Sequence, residues 1–258
     1  MKPGAQLVYR IAAVLNGLAA KNHEGMGMTA LARATGLKGA TTHRLLQALV
    51  DVGLVCQRPG DRRYILGPMT FSLGKIAASR FDLQASYDAE IAALADAIGD
   101  TAFFLMRSHL DMLCLSRASG AFPVKTLITE IGTRRPIGVG AGGLAVLAAL
   151  PREEAQLLML ANAQGYQAAG RTSASVADEV THARAVGHVC RVMPELGATT
   201  IAIALHDSRG RAFASISASA ISQRMQGQHL ERVVRDMRQT AKRLEAKFDF
   251  DSHLMTGG

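Results

Sequence analysis

Between residues 29 and 53 the chain is punctuated so closely that only two short helices and a tight turn fit. Thr29 is placed to cap a helix over 29–35, Gly36 to end it, and Leu37-Lys38-Gly39 to form the connection. A second helix is predicted over 40–52, with Leu45, Leu46, Leu49 and Val50 facing the core and Gly53 as its stop. Two helices on a glycine-containing turn make a helix-turn-helix. Upstream, Leu7, Ile11, Val14, Leu15 and Leu18 recur at the three- and four-residue intervals of an amphipathic helix, before a polar loop over 21–27. Downstream, 54–57 and 64–66 read as short strands around Arg58-Pro59-Gly60-Asp61-Arg62-Arg63, where Pro-Gly-Asp is turn chemistry. Three helices followed by a basic hairpin give the winged form of the motif.

Charge separates this segment from the rest. Residues 1–81 hold eleven Lys or Arg against three acids, an excess equal to the whole formal charge of +8, and residues 82–258 hold eighteen of each sign. A basic module joined to a neutral one points to nucleic acid as the first module's partner. The residues placed to meet duplex DNA are Lys38 in the turn, Thr41, Thr42, His43 and Arg44 on the start of the second helix, and Arg62 and Arg63 on the wing. Each has a plainer reading. The threonines satisfy a helix terminus, His43 packs inward, Arg44 pairs with a neighbouring acid, and Arg63 turns back to its own domain.

Beyond Gly67 a linker helix is predicted over 69–79, with the domain boundary near residue 80. The chain divides into a DNA-binding domain over 1–67, a linker over 68–81, a second domain over 82–248, and a frayed tail over 249–258. The second domain mixes helices (83–98, 143–150, 152–161, 176–186, 228–248) with strands (101–108, 112–117, 188–192, 199–205, 212–218). Adjacent hairpins among those strands argue for an antiparallel α+β fold, not a doubly wound sheet.

Several classes are set aside. No apolar run approaches the roughly 20 residues of a membrane span, and the N-terminal apolar stretch, interrupted by Arg10, Asn16 and Gly17, reads as a domain helix instead of a signal. Cys56, Cys114 and Cys190 are widely separated and odd in number, which favours a reducing cytoplasm. No metal and no cofactor are expected, since ligand spacing, phosphate loops and nucleophile motifs are missing from the sequence. Two rivals remain: an enzyme acting on a small anion, and a DNA-binding protein that takes no ligand.

The chain resembles the IclR-type transcriptional regulators along nearly its full length. The resemblance is carried by Met28-Thr29-Ala30-Leu31-Ala32, Thr35-Gly36-Leu37, the run from Thr42-His43-Arg44 to Leu49, Gly53-Leu54-Val55, and Arg63-Tyr64-Ile65-Leu66-Gly67-Pro68 with Leu73-Gly74. It continues in Gly132-Thr133-Arg134-Arg135-Pro136-Ile137, 144–150, and Ser215-Ile216-Ser217-Ala218-Ser219. It implies a winged helix-turn-helix that binds palindromic or repeated operators as a dimer or dimer of dimers. It also implies a GAF-like effector domain for a small carboxylate or aromatic acid, whose binding changes operator affinity.

Carried over residue by residue, the implied effector site comprises Gly140 and Ala141 before the middle helix, Thr200, and Ser217 with Ser219 on the last strand. An often acidic position falls on Cys190 or Arg191, and the family's usual Lys after the glycine is Gly143 here. Strand alternation by itself puts Ser215, Ser217 and Ser219 on one face. A glycine-rich helix start leaves free N–H groups that suit an anion. The plainer reading is that the serines are satisfied strand residues and the glycines permit close packing.

Overall fold

The fold comes from a computed structural model, which describes residues 5–19, 21–81 and 83–248. The chain divides after Phe81 into two compact units.

In the first unit, helices α1 (Ala5–Ala19), α2 (Met28–Thr35) and α3 (Gly39–Asp51) precede strands β1 (Val55–Gln57) and β2 (Tyr64–Leu66), and α4 (Pro68–Phe81) follows. Val14, Leu18, Leu31, Leu46, Leu49, Val55 and Tyr64 form its core. Gly36 ends α2 in the left-handed region at φ 68°, where its N–H reaches the carbonyls of Ala32 and Arg33. Two expectations are corrected. Helix α2 starts at Met28 with Gly27 in the capping position and no side-chain cap, so Thr29 lies inside the first turn. Val50 is 36% exposed, because the buried stripe of α3 is Thr42, Leu45, Leu46 and Leu49, and Val50 lies one position past it. Strands β1 and β2 pair antiparallel, Val55 opposite Leu66. Met26 adds a bridge to Tyr64 through reciprocal bonds of 2.9 Å, so the loop after α1 braces the wing.

The second unit runs α5 (Leu83–Ile98), β3 (Thr101–Ser108), β4 (Asp111–Ser119), β5 (Arg134–Pro136), α6 (Ala141–Ala149), α7 (Arg152–Ala161), α8 (Ala163–Ala168), α9 (Ser173–Val186), β6 (Val189–Met193), β7 (Ala198–His206), β8 (Ala212–Ile221) and α10 (Gly227–Phe248). Its six strands form one antiparallel sheet in the order β5-β4-β3-β8-β7-β6. The antiparallel α+β expectation holds, and the sheet with helices on its faces is the GAF-like architecture. Helix α6 covers one face and contacts α9, while α5 and α10 pack together on the other. Leu144, Val146 and Leu147 of α6 are fully buried among Ile137, Tyr166, Val176 and Ala202. On the opposite face, Tyr87 of α5 stacks on Phe104 of β3 with ring centroids 4.7 Å apart.

Strand β5 and helix α8, three and six residues long, have no counterpart in the sequence reading, being too short to show a period. Helix α9 begins earlier than expected, where Thr172 and Ser175 make a reciprocal capping box. Helix α6 also begins earlier, at Ala141 instead of residue 143, which places Gly142 and Gly143 inside its first turn. The expectation of a frayed 249–258 tail lies outside the described residues.

Candidate functional site

The outward face of α3 carries His43 and Arg44, both exposed and neither with a side-chain partner among the described residues. Lys38, the residue before the helix, is likewise exposed, and Thr41 is half-buried beside them. Arg44 therefore does not pair with an acid of its own domain. Thr42 requires correction as a DNA contact. It is 0% exposed, on the same side of the helix as Leu45 and Leu46, and its hydroxyl donates to the Lys38 carbonyl at 3.2 Å. Residues 41 and 42 are 100° apart around a helix, so both cannot share the outer face. Gln47, exposed one turn after His43, belongs to the outer face and was missed.

The wing sorts its arginines by a carboxylate. Asp61 accepts from both ends of the Arg58 guanidinium, at 3.2 and 2.5 Å, and from the Arg63 N–H at 3.1 Å. Bonding to Arg58 and then to the Arg63 N–H holds the Asp61 carboxyl below the usual carboxylate range. Arg58 also donates to the carbonyls of His23 and Glu24, and Arg63 to those of Glu24 and Gly25. Both side chains thus fasten the wing to the loop after α1. Arg63 faces its own domain, leaving Arg62, exposed at φ 55°, as the arginine whose guanidinium has no partner among the described residues of the wing.

In the second unit a cavity of about 190 Å³ lies between the start of α6 and the sheet. Gly140 and Ala141 line it, as do Thr200 and Ser217. The register explains why these meet. Ser217 of β8 stands opposite Phe103 of β3 and Ala202 of β7, and Thr200 stands opposite Arg191 of β6, so alternate residues of four strands turn to α6. At Gly142 the helix lies close against the sheet. A Cβ there would lie 2.6 Å from Ser215 Oγ and 3.3 Å from Ser217 Oγ. Gly143 is equally constrained, since its Cβ would meet the Gly138 backbone nitrogen at 2.6 Å, which accounts for the lack of a longer side chain.

The oxygens Ser215 Oγ and Ser217 Oγ are buried with no hydrogen-bond partner among the described residues. Above them the first N–H groups of α6 have no partner within the helix, as at every helix start. Unsatisfied hydroxyls opposite a helix N-terminus form a polar, anion-compatible surface.

Two expected members of the pocket are displaced. Ser219 shares the face but does not line the cavity; its Oγ accepts from Thr200 Oγ1 at 3.0 Å. Cys190 is exposed and also outside the lining, because Arg191 and Met193 take the cavity side of β6 and alternation turns Cys190 away. Partial desolvation by its neighbours holds the Cys190 thiol above its ordinary value. Of the two positions left open, Cys190 and Arg191, it is Arg191 that lines the cavity. The residue missed is Arg135 of β5, which lines it too. Among the described residues no group of three or more His, Cys, Asp or Glu could hold a metal, and no helix is long and apolar enough to cross a membrane.

Residues 8–59 match the IclR helix-turn-helix domain, and residues 75–246 match the C-terminal domain of bacterial IclR transcriptional regulators. The DNA-binding transcriptional repressor YiaJ of Escherichia coli is 24% identical over 231 residues, 88% of this chain and 82% of its own length. The regulator KipR of Bacillus subtilis is 27% identical over 127 residues, and there the match spans 49% of this chain and 50% of KipR. Among solved structures, an IclR regulator of Silicibacter superposes with a TM-score of 0.78 at 21% identity, covering 93% of this chain and 96% of that one. An IclR homologue of Microbacterium hydrocarbonoxydans, crystallised with 4-hydroxybenzoate, superposes with a TM-score of 0.69 at 19% identity over 94% and 98% of the two chains. With both domain matches in their chain order, the C-terminal one spanning well over half its length, this chain belongs to the IclR family of bacterial transcriptional regulators.

Proposed function

We propose that the protein binds operator DNA through α3 and the wing, and that a small carboxylate bound beneath α6 changes that affinity. In this reading Lys38, Thr41, His43, Arg44 and Arg62 meet the duplex, with Gln47 beside them. Arg58 and Arg63 hold the wing, and Thr42 supports α3 from inside. The effector site comprises Gly140, Ala141, Thr200 and Ser217, with Gly142 setting the fit. The observation that carries the effector half is Ser217 Oγ, buried without a partner among the described residues and lining a cavity capped by a helix N-terminus. A ligand carboxylate accepts from that hydroxyl and from the α6 N–H groups together. That a solved relative holds 4-hydroxybenzoate supports a carboxylic acid as the ligand class.

The chain acts as a homodimer or dimer of dimers, in the cytoplasm, where its DNA target lies and where Cys56, Cys114 and Cys190 stay reduced. No catalytic step belongs to this function. The test is DNA binding by the full chain on the region beside its own gene, with scrambled competitor, in the presence and absence of a panel of small carboxylic acids. Specific binding that is weakened or strengthened by an acid, and made insensitive to it by Ser217→Ala, supports the reading. Binding that no acid alters favours a regulator without a ligand.

A further inference from the structure

Arg191 is a cation with too few partners. It is half-buried, lines the cavity, and one guanidinium nitrogen donates to the Val139 carbonyl. No carboxylate lies within ion-pair distance of it among the described residues. Its neighbour Arg171 donates to the carbonyls of Gly138 and Val139 but is neutralised by Glu179. Burial pushes the Arg191 guanidinium below its ordinary value and the Arg171 charge adds to this, with Glu179 and Glu195 only partly opposing. A guanidinium carries five N–H donors, so one bond to a carbonyl leaves most of them unused. A partly desolvated cation in that condition is stabilised by an anion brought to it.

Arg135 lines the same cavity from the rim, exposed, with one donor on the Ile128 carbonyl at 2.8 Å. The cavity therefore offers two sets of donors. The α6 start with Ser217 is one, and Arg191 with Arg135 is the other, with Glu195 also in the lining and offsetting part of that charge. Ser217 and Arg191 lie on β8 and β6 with β7 between them, which sets their backbones roughly 10 Å apart across the sheet. The Arg191 guanidinium reaches the Val139 carbonyl just before α6, so the interval left between it and the α6 N–H groups suits a short ligand only. Phe103, Leu105 and Met193 supply apolar wall in the lining.

We propose that the effector is a small dianion, with carboxylates at both ends of a short apolar spacer. One carboxylate sits on Ser217 and the α6 N–H groups, and the other on Arg191 with Arg135 at the rim. The proposal rests on the effector-pocket reading above and narrows it, with Arg191 as the residue that sets specificity.

The test is calorimetric titration of the full-length protein, at matched ionic strength, with succinate, glutarate and adipate against butyrate, pentanoate and hexanoate. At least one dicarboxylate is expected to bind about tenfold or more tightly than the monocarboxylate of equal length. Arg191→Gln should abolish most of that preference, weakening dicarboxylate binding more than monocarboxylate binding. Arg135→Gln, on the exposed rim, should reduce it partially and serves if the first variant does not fold. Equal binding of the two series, or a preference unchanged in the arginine variants, overturns the dianion and leaves the pocket reading intact. If neither series binds, or if Ser217→Ala leaves all binding unchanged, both fall.

Discussion

At the scale of single residues, small differences in position decide what a side chain can do. Gly142 has no alternative, because a Cβ would stand 2.6 Å from the buried Ser215 hydroxyl. Gly142→Ala should cost about 1–3 kcal/mol in urea unfolding, typical of overpacking a tight interior, and should reduce ligand binding along with it. Thr42 and Arg44, two positions apart, should fail in opposite ways. Thr42→Ala removes a buried methyl and a bond to the Lys38 carbonyl, so the expected loss is about 1–2 kcal/mol of stability. Arg44→Ala, exposed and unpartnered, should leave stability within about 0.5 kcal/mol. It should weaken operator binding and reduce the slope of log affinity against log salt by about one. Denaturation and DNA titration on both variants check the pair, and a Thr42→Ala protein of full stability but lost DNA binding would return Thr42 to the interface. Helical spacing contains this distinction, but composition at the helix start does not, since threonine suits either side.

At the scale of elements, the β7–β8 hairpin is closed by a carboxylate. Asp207 accepts from the N–H groups of Arg209 and Arg211 at 3.0 and 2.9 Å and from the Arg211 guanidinium at 2.9 Å. Its burial by itself raises its pKa, but these donors outweigh that and hold the carboxyl below the ordinary value. A lowered folded value means stability that is present above the unfolded pKa and lost as pH falls through the folded one. Asp207→Asn should therefore destabilise the protein at pH 7, and the gap from the parent should shrink below about pH 4. Urea unfolding at pH 7 and pH 3 measures it, and a gap independent of pH would remove the charge from the explanation. The turn at 207–210 was legible because Asp-Ser-Arg-Gly is turn chemistry. The short elements β5 and α8 were not, and β5 matters most, because Arg135 reaches the cavity from it.

At the scale of the molecule, a basic unit and a neutral unit share one chain, and regulation is an exchange of free energy between their ligands. If a carboxylate changes operator affinity by some factor, operator DNA must change carboxylate affinity by the same factor. Titrating the acid with and without saturating operator should give a ratio of dissociation constants equal to the ratio measured for DNA with and without acid. A carboxylate affinity unchanged by saturating operator would mean that the two sites are not coupled.

The sequence by itself determined the parts. The winged helix-turn-helix, the division of charge, the helices α5 and α7, strand β3 and the antiparallel class follow from periodicity and turn residues, which are local properties. The tertiary structure decided what those parts meet. Alternation says that Ser215, Ser217 and Ser219 share a face, but only the pairing of β8 with β7 sets Ser219 against Thr200, while Ser217 borders the cavity. It likewise says that Cys190 and Arg191 face opposite ways, but not which of them faces α6. Register across a sheet is fixed by contacts between residues far apart in the chain, and one step of register exchanges every inward side chain for its neighbour. For that reason the anion-compatible helix start was visible in the sequence, and the arginine across the cavity from it became visible only once the sheet was assembled.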